Sequence, residues 1–223
     1  MSGSAKLYRL VTNTLAERMP GATTSVLYGS SEGGHHTTLP DWDVSRKPGS
    51  VGRVAPPGSI RLAPDGEILY RGPTLMTGYF ERAEETATAL EGGWYHTGDL
   101  GVMDDEGYLY VTGRAREVIR TGGETVAPPE VEAALAGFEG IVDAAVIGLP
   151  DDRWGEIVCA VVVTSPDVPA PTVAELRSHI GDALAGYKHP RKVVRLEAIP
   201  RTSATGQVQR TLLRDEVLEA SKL

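Results

Sequence analysis

The spacing of hydrophobic positions divides the chain into a strand-rich first half and a second half in which helices alternate with strands. A first helix over residues 4–18 is predicted by apolar residues near helical spacing: Leu7, Leu10, Val11, Leu15 and Met19. "TTSVLYG" then predicts a buried strand that runs into the Gly- and Ser-rich loop "SSEGGHH". Residues 45–59 are rich in Pro and Gly and predict a surface crossing.

Short alternating runs dominate the next segment. In "SIRLAPDGEILYRG", two such runs flank Pro-Asp-Gly, which predicts a β-hairpin. "MTGYF" and "GWYHTGDLGVMDDEGYLYVTG" continue the β pattern, with "DDEG" as a further turn. We therefore expect residues 1–113 to be largely strand and loop.

Beyond residue 114 the pattern changes. "APPEVEAALAGF" predicts a helix with Pro in its first turn and an apolar face made of Val131, Ala134, Leu135 and Phe138. "TVAELRSHIGDAL" predicts a second helix that begins with a capping box, Thr172 followed by Glu175. The runs "IVDAAVIGLP", "EIVCAVVVT" and "RKVVRLEAIP" predict strands, and a short helix closes the chain. This part is therefore predicted to be a compact α+β domain.

Composition and charge exclude several classes of function. Hydrophobic residues make up 41% and charged residues 23% of the chain, as in ordinary globular proteins. The formal net charge of -8 argues against nucleic acid as a partner. No apolar stretch approaches the length of a membrane span, and there is no signal-peptide core. The single cysteine, Cys159, lies in an apolar run and is expected to be a core residue.

The C-terminal tripeptide "SKL" allows two interpretations of localisation. It matches a peroxisomal address, but three common residues can also end a charged helix by chance. We favour the second interpretation and expect a cytoplasmic protein.

The first stretch whose residues could form a binding site is "YGSSEGG", in which a strand ends in a turn. Backbone N–H groups of such a turn can bind an anion, and the hydroxyls of Ser30 and Ser31 add donors. Tyr28 offers a flat face to a base, and Glu32 offers a carboxylate of the kind that Mg²⁺ binds together with phosphate oxygens. A solvated loop is the alternative, and the motif alone favours it.

Two later stretches add candidate ligands. In "HTGDLG", the Asp99 carboxylate can accept hydrogen bonds from both hydroxyls of a ribose, although turn aspartates are common. "GRAREVIRTGGE" is either a phosphate-facing edge or a basic hairpin, with arginines at Arg114, Arg116 and Arg120. The chain lacks the histidine spacing of a zinc site.

Seven stretches in order carry more information than any one of them: "SGSA", "YGSSE", "HTGDLG", "GRAREVIRTGGETVAPPEVE", "GLPDDRWGE", "YKHP" and "PRTSATGQVQR". Together they closely resemble the adenylate-forming superfamily, which includes acyl-CoA synthetases, peptide-synthetase adenylation domains and luciferases. The resemblance covers nearly the whole chain and implies an α/β and α+β fold. It implies the end of the large domain at 1–45, a small β-barrel at 46–115 and a mobile C-terminal α+β domain at 116–223.

Such enzymes activate a carboxylate with ATP to give an acyl-adenylate, and a thiol, often that of CoA, then displaces AMP after the small domain rotates. The resemblance implies nucleotide-binding roles for Tyr28, Gly29, Ser30, Ser31, Glu32, Asp99 and Arg114. Within that set, it makes Ser31 a phosphate ligand and Glu32 the Mg²⁺ ligand. Arg116 falls at the hinge, where the family usually has Asp or Lys. The edge that faces the CoA tunnel is implied to contain Arg120, Gly122, Gly123 and Glu124, with Arg120 and Ser31 stabilising the phosphate as AMP leaves.

Gln207 departs from the family pattern, because the resembling enzymes have their adenylation lysine at this position. Attack of a carboxylate on the α-phosphate joins two anions, and a neutral amide cannot offset that charge. We therefore predict thioester formation from an acyl-adenylate and CoA, with ATP- and Mg²⁺-dependent adenylation weak or lost. Rescue by Lys188 or Lys192 is an alternative.

Other functions and partners remain open in the sequence. The chain could be a non-catalytic subunit that binds nucleotide or acyl ligand, or an adenylating ligase that loads a carrier-protein phosphopantetheine. The resemblance begins about midway through the family's large domain. We therefore expect the upstream portion of the same enzyme to be a partner, together with a small-molecule carboxylate or its acyl-adenylate.

Overall fold

The computed structural model describes residues 14–15, 17–19, 21–203 and 206–220. Residues 14–15 and 17–18 are helical, and the rest of the predicted first helix lies outside the described residues, as do "SGSA" and "SKL". The chain divides into two compact units, 2–116 (the first unit) and 117–223 (the second unit). In the described residues, no helix is long and apolar enough to cross a membrane.

The first unit contains two antiparallel sheets. The strands of the first sheet are β1 (Val26–Ser30), β2 (Gly34–Leu39) and β3 (Arg53–Val54), with helix α1 (Asp41–Val44) between β2 and β3. The strands of the second sheet are β4 (Ser59–Leu62), β5 (Glu67–Arg71), β6 (Tyr95–Met103) and β7 (Leu109–Arg114), with helix α2 (Ala83–Ala89) between β5 and β6.

Two register shifts curl the second sheet. The β5–β6 pairing shifts between Glu67 and Leu69, and the β6–β7 pairing shifts between Leu100 and Gly101. Irregularities of this kind bend a strand and increase its twist. The result is a mixed α/β fold with a curled half-barrel sheet, which confirms the predicted fold class.

The predicted Pro-Asp-Gly hairpin is confirmed by the antiparallel pairing of β4 with β5. Three other predictions in this unit are wrong. The loop predicted at "SSEGGHH" includes the start of β2, which the hydrophobic pattern hides because two of the three buried residues of this strand are the polar His36 and Thr37. The strand predicted as buried is half exposed, with Leu27 at 59% exposure. "MTGYF" forms no strand, and its Phe80 side chain is exposed.

The second unit is a sheet with helices on both faces. In chain order its elements are β8 (Ile119–Thr121), β9 (Glu124–Val126), α3 (Pro128–Leu135), β10 (Ile141–Asp151), β11 (Gly155–Thr164), α4 (Val173–Ile180), β12 (Lys192–Arg195) and α5 (Arg210–Ala220). The sheet order is β10-β11-β8-β9, and β12 pairs with β11 in parallel.

Alternating residues of β10 and β11 build two hydrophobic clusters, one on each face of this sheet. Val146 and Val158 belong to the cluster that includes residues of α3 and α4, whereas Ile147 and Cys159 belong to the cluster that includes residues of α5. Cys159 is fully buried, which confirms the prediction of a core cysteine, and burial raises the pKa of its thiol to about 12.

The helix signals in this unit are also confirmed. Pro128 occupies the first turn of α3, and Thr172 caps α4 by accepting a hydrogen bond from the Glu175 backbone N–H. The second helix is shorter than predicted, because Gly181 adopts a positive φ of 52° and ends it after Ile180.

Candidate functional site

Tyr28, Asp99 and Arg114 form one hydrogen-bonded cluster in the first unit. Asp99 and Arg114 are direct partners across β6 and β7, and Arg114 Nε lies 2.7 Å from Asp99 Oδ1. Tyr28 donates its hydroxyl to Asp99 Oδ2 at 2.7 Å. Both carboxylate oxygens of Asp99 are thus held in place.

The surroundings keep the Tyr28 phenol protonated. Burial, together with the Asp99 charge, raises the pKa of Tyr28 well above its usual range, so its hydroxyl remains a donor. The Thr97 hydroxyl accepts from the Asp99 backbone N–H at 3.1 Å and donates to the Ile68 carbonyl at 2.7 Å. These bonds fix the backbone from which the carboxylate projects.

The turn between β1 and β2 presents Ser31 and Glu32. Ser30 Oγ accepts from the Gly33 N–H at 3.0 Å, and the Gly33 carbonyl accepts from Thr74 Oγ1 at 2.6 Å. The turn is thus held from both ends, while the Ser31 side chain is exposed. Gly29, on the adjoining strand, must lack a side chain because a Cβ there would overlap the Gly34 carbonyl oxygen.

Glu32 is held by tyrosines that sequence reasoning missed. Tyr79 Oη donates to Glu32 Oε1 at 3.0 Å. The Tyr95 hydroxyl faces both Ser30 and Glu32, and burial raises the pKa of Tyr95 to about 12. Tyr79 lies in "MTGYF" and Tyr95 in "GWYHTGD", two segments for which the sequence predicts strands. Nothing in their spacing relates them to Glu32.

Glu32 fits a magnesium site only as a single carboxylate. Among the described residues, no three His, Cys, Asp or Glu side chains converge on a metal position. Mg²⁺ commonly binds through one or two carboxylates, with phosphate oxygens and water completing its octahedron. Glu32 is therefore compatible with a metal that arrives with a nucleotide.

In the second unit, Gly122 and Gly123 form the two-residue turn between β8 and β9. Their φ values of 60° and 84° are left-handed, as this type of hairpin turn requires. The Gly122 N–H donates to the Trp154 carbonyl at 2.8 Å, and a Cβ at Gly122 would lie 2.7 Å from the Trp154 ring. Arg120 and Glu124 flank the turn, and both are exposed.

Arg116 lies in the 3₁₀ turn Ala115–Glu117, at the position in the chain where the first unit ends. It is exposed. The structure thus places this arginine at a boundary between units, while its role as a hinge stays a prediction.

The loop that contains Gln207 is closed by hydrogen bonds between Thr202 and Gln207. The Thr202 N–H donates to the Gln207 carbonyl at 2.9 Å, and the Gln207 N–H donates to Thr202 Oγ1 at 3.1 Å. Arg201 donates to the Gly206 carbonyl at 2.9 Å and forms an ion pair with Asp143 at 2.8 Å. The backbone at Gln207 is therefore fixed by the residues around it.

Arg210, three residues after Gln207, joins the loop to the core and was not predicted. Its guanidinium contacts Glu117 Oε2 and Glu132 Oε1, each at 2.6 Å, and its Nε donates to the Val146 carbonyl at 3.2 Å. The arginine side chain is only 11% exposed. Its partners lie 93 and 78 positions away in the chain, so no local pattern relates them.

Comparisons with known proteins identify the family of this chain. The family described as AMP-binding enzyme C-terminal domain matches residues 130–205. The long-chain-fatty-acid–CoA ligase FadD13 of Mycobacterium tuberculosis is 41% identical over 192 residues, which are 82% of this chain and 38% of the relative. A 2-succinylbenzoate–CoA ligase of Listeria monocytogenes is 39% identical over 178 residues, 80% of this chain and 37% of the relative.

Solved structures show the same fold. The o-succinylbenzoate CoA synthetase of Bacillus subtilis, in complex with its acyl-adenylate intermediate, matches with a TM-score of 0.82 and 32% identity over 95% of this chain and 44% of that chain. The chain thus spans less than half the length of these relatives. It belongs to the adenylate-forming superfamily and corresponds to the C-terminal portion of its acyl-CoA ligases.

Proposed function

We propose that this protein acts in acyl-CoA ligation, forming a thioester from an acyl-adenylate and CoA, with the ATP-dependent adenylation step weak or lost. The second half of this proposal rests on Gln207, a neutral residue at the position where the family resemblance places the adenylation lysine. The acyl-CoA ligases among the relatives support the first half.

The missing charge matters because adenylation brings a carboxylate against the α-phosphate. A donor aimed at the charge that develops in such a transition state typically contributes about 3–4 kcal/mol, or on the order of 10² to 10³ in rate. The Gln207 amide can donate a hydrogen bond but carries no charge. We therefore expect adenylation to be slower by at least this factor than with lysine.

Other cations of this unit are poor substitutes for a lysine at position 207. Two of them are already paired with carboxylates. Arg201, the cation that binds the loop backbone, lies 2.8 Å from the Asp143 carboxylate. Lys188 lies 2.6 Å from the Glu130 carboxylate, which also accepts from the backbone at the start of α3. Lys192 is the first residue of β12, in register with Cys159 in the sheet, and so belongs to a strand rather than the loop.

We propose that the first unit supplies the nucleotide contacts needed for the thioester step. We propose that Asp99, held by Tyr28 and Arg114, accepts hydrogen bonds from the ribose hydroxyls of an adenylate. Ser31 and the backbone of its turn would bind the phosphate. Glu32 would hold Mg²⁺, whose charge would neutralise the phosphates if a nucleoside triphosphate binds. Gly29 and Ser30 shape this turn from the β1 side.

On the acceptor side, the Gly122–Gly123 turn is proposed to admit the pantetheine thiol, with Glu124 at its edge. The two glycines differ in their surroundings. A Cβ at Gly123 would meet no atom within 4 Å, whereas Gly122 packs on Trp154. Arg120 is proposed to stabilise the phosphate as AMP leaves, and Arg116 to act as the hinge. Catalysis in this step rests mainly on positioning, for which the chain provides rigid turns.

A two-arm assay on the native protein tests this function. One arm supplies ATP, Mg²⁺ and a panel of carboxylic acids with CoA, and the other supplies the corresponding preformed acyl-adenylates with CoA. We expect thioester in the second arm and little in the first. Equal rates in both arms would contradict the loss of adenylation. Binding of adenylate without thioester would indicate a non-catalytic subunit, and transfer only to a carrier-protein phosphopantetheine would change the acceptor.

A further inference from the structure

His36, on β2, is a fully buried imidazole behind the Ser30–Gly33 turn. It stacks on Tyr70 with ring centroids 4.0 Å apart and an interplanar angle of 19°. It also lies edge-on to Tyr28 and Tyr95, at 5.3 and 6.2 Å. Its side chain is 0% exposed, and its Nδ1 has no hydrogen-bond partner in the described residues.

The other ring nitrogen contacts the turn. His36 Nε2 lies 3.4 Å from Ser30 Oγ, which already accepts from the Gly33 N–H at 3.0 Å. A Cβ at Gly33 would overlap His36 Nε2, so the glycine is required for the imidazole to approach. The imidazole therefore supports the turn from inside the unit.

The direction of this hydrogen bond follows from the surroundings of the two ring nitrogens. Ser30 Oγ has two lone pairs, one of which accepts from the Gly33 N–H, so the second can accept from His36 Nε2–H. A proton on Nδ1 instead would bury an N–H group without an acceptor, which folded proteins rarely tolerate.

We propose that His36 is a positioning residue for the nucleotide-binding turn: its Nε2–H donates to Ser30 Oγ, so the Ser30 hydroxyl hydrogen points away from the imidazole and the oxygen is fixed as the acceptor of the Gly33 N–H. This proposal rests on the proposed nucleotide role of the turn. It assigns His36 no contact with substrate, and its effect passes through Ser30.

The surroundings keep the imidazole neutral. Burial lowers the pKa of His36 to about 4, the charge of His35 adds to this effect, and Glu32 opposes it. The other titratable groups that face it are the phenols Tyr28, Tyr70 and Tyr95. Neutral imidazole has one N–H, so its position is a definite property of the folded protein.

Long-range ¹H–¹⁵N NMR of the native protein near pH 7 measures that position directly. We expect the His36 signals of a neutral ring protonated at Nε2. A proton on Nδ1, or exchange between the two tautomers, would overturn the proposal. This measurement needs no ligand, so it decides the assignment even if the proposed nucleotide role fails.

Two variants test the consequence for binding. His36→Gln places an amide N–H near the Nε2 position, whereas His36→Leu removes the donor. In titration calorimetry with AMP, we expect His36→Leu to bind about tenfold more weakly and His36→Gln to stay within about twofold of the native protein. Folding of each variant is checked by circular dichroism.

The neighbouring exposed residue provides the matched control. His35→Gln removes an imidazole that contacts the Thr37 carbonyl and Thr38 Oγ1, and we expect native AMP affinity. A folded His36→Leu variant with native affinity, or equal losses in His36→Gln and His36→Leu, would overturn the positioning role. No AMP binding by the native protein would instead contradict the proposed function.

Discussion

Replacing Arg210 with methionine tests whether one buried cation ties the start of α5 to the rest of the 117–223 unit. The guanidinium, 11% exposed, lies between the carboxylates of Glu117 and Glu132, whose side chains are 13% and 19% exposed. It also donates to the Val146 carbonyl. Methionine retains most of the apolar volume, so the substitution isolates the loss of charge and hydrogen bonds.

The expected cost is large because two carboxylates would remain without their cation. Removing one partner of a buried ion pair typically destabilises a protein by about 3–5 kcal/mol, since an uncompensated charge stays buried. Arg210 serves two such carboxylates, so we expect the upper part of this range. If Glu117→Gln is combined with Arg210→Met, part of the loss should be recovered, because one of the two unpaired charges is then absent.

Arg214→Met is the matched control on the same helix. Arg214 is 39% exposed and lies 3.1 Å from the Glu156 carboxylate. Exposed pairs of this kind contribute about 0–1 kcal/mol, because water screens the charges. Both residues are arginines of α5 and receive the same replacement, so the difference between the two variants mainly measures burial.

The assay is hydrogen exchange followed by mass spectrometry across a urea series, which reports unfolding of the 117–223 unit by itself. We expect Arg210→Met to lower the free energy of unfolding of this unit by about 3–5 kcal/mol and Arg214→Met by at most about 1 kcal/mol. Equal effects of the two substitutions would refute the assignment of Arg210 as the buried clamp.

Three further predictions follow from other sites. Gly122→Ala should destabilise the 117–223 unit by about 1–3 kcal/mol because it combines a left-handed φ with overlap on Trp154, and Gly123→Ala, which meets no neighbour, should cost less in the same urea assay. Tyr28→Phe removes the hydroxyl that holds Asp99 and should weaken AMP binding about tenfold in calorimetry. Unchanged affinity would contradict the positioning of Asp99 by Tyr28. Because the folded-state pKa of His36 is about 4, below its usual 6.5, the unfolded chain takes up the proton first, so stability should fall as pH drops from about 6.5 toward 4. Acid titration of His36→Gln by circular dichroism should lack this component, and an identical profile would contradict it.

The sequence predicted elements wherever the determining signals are local. The Thr172–Glu175 capping box, the Pro-Asp-Gly hairpin and the apolar run around Cys159 each act within a few residues, and all three predictions are confirmed. It failed at the start of β2, where the buried residues are the polar His36 and Thr37, because buried polar residues do not mark a strand in a hydrophobic pattern.

The site was less predictable because its contacts join distant positions. Asp99 and Arg114 were both identified as ribose contacts through the family resemblance, but their direct pairing depends on the β6–β7 register. The hydroxyl of Tyr79 reaches Glu32 across 47 positions. No periodicity or local motif encodes such a contact, so only the folded structure reveals it.

The most direct test of the central claim is ATP–pyrophosphate exchange in the native protein and in Gln207→Lys. Gln209→Lys, which adds the same charge at an exposed position two residues away, is the control. We expect weak exchange in the native protein, an increase on the order of 10² to 10³ in Gln207→Lys and no increase in Gln209→Lys. Brisk exchange by the native protein that Gln207→Lys leaves unchanged would contradict the claim.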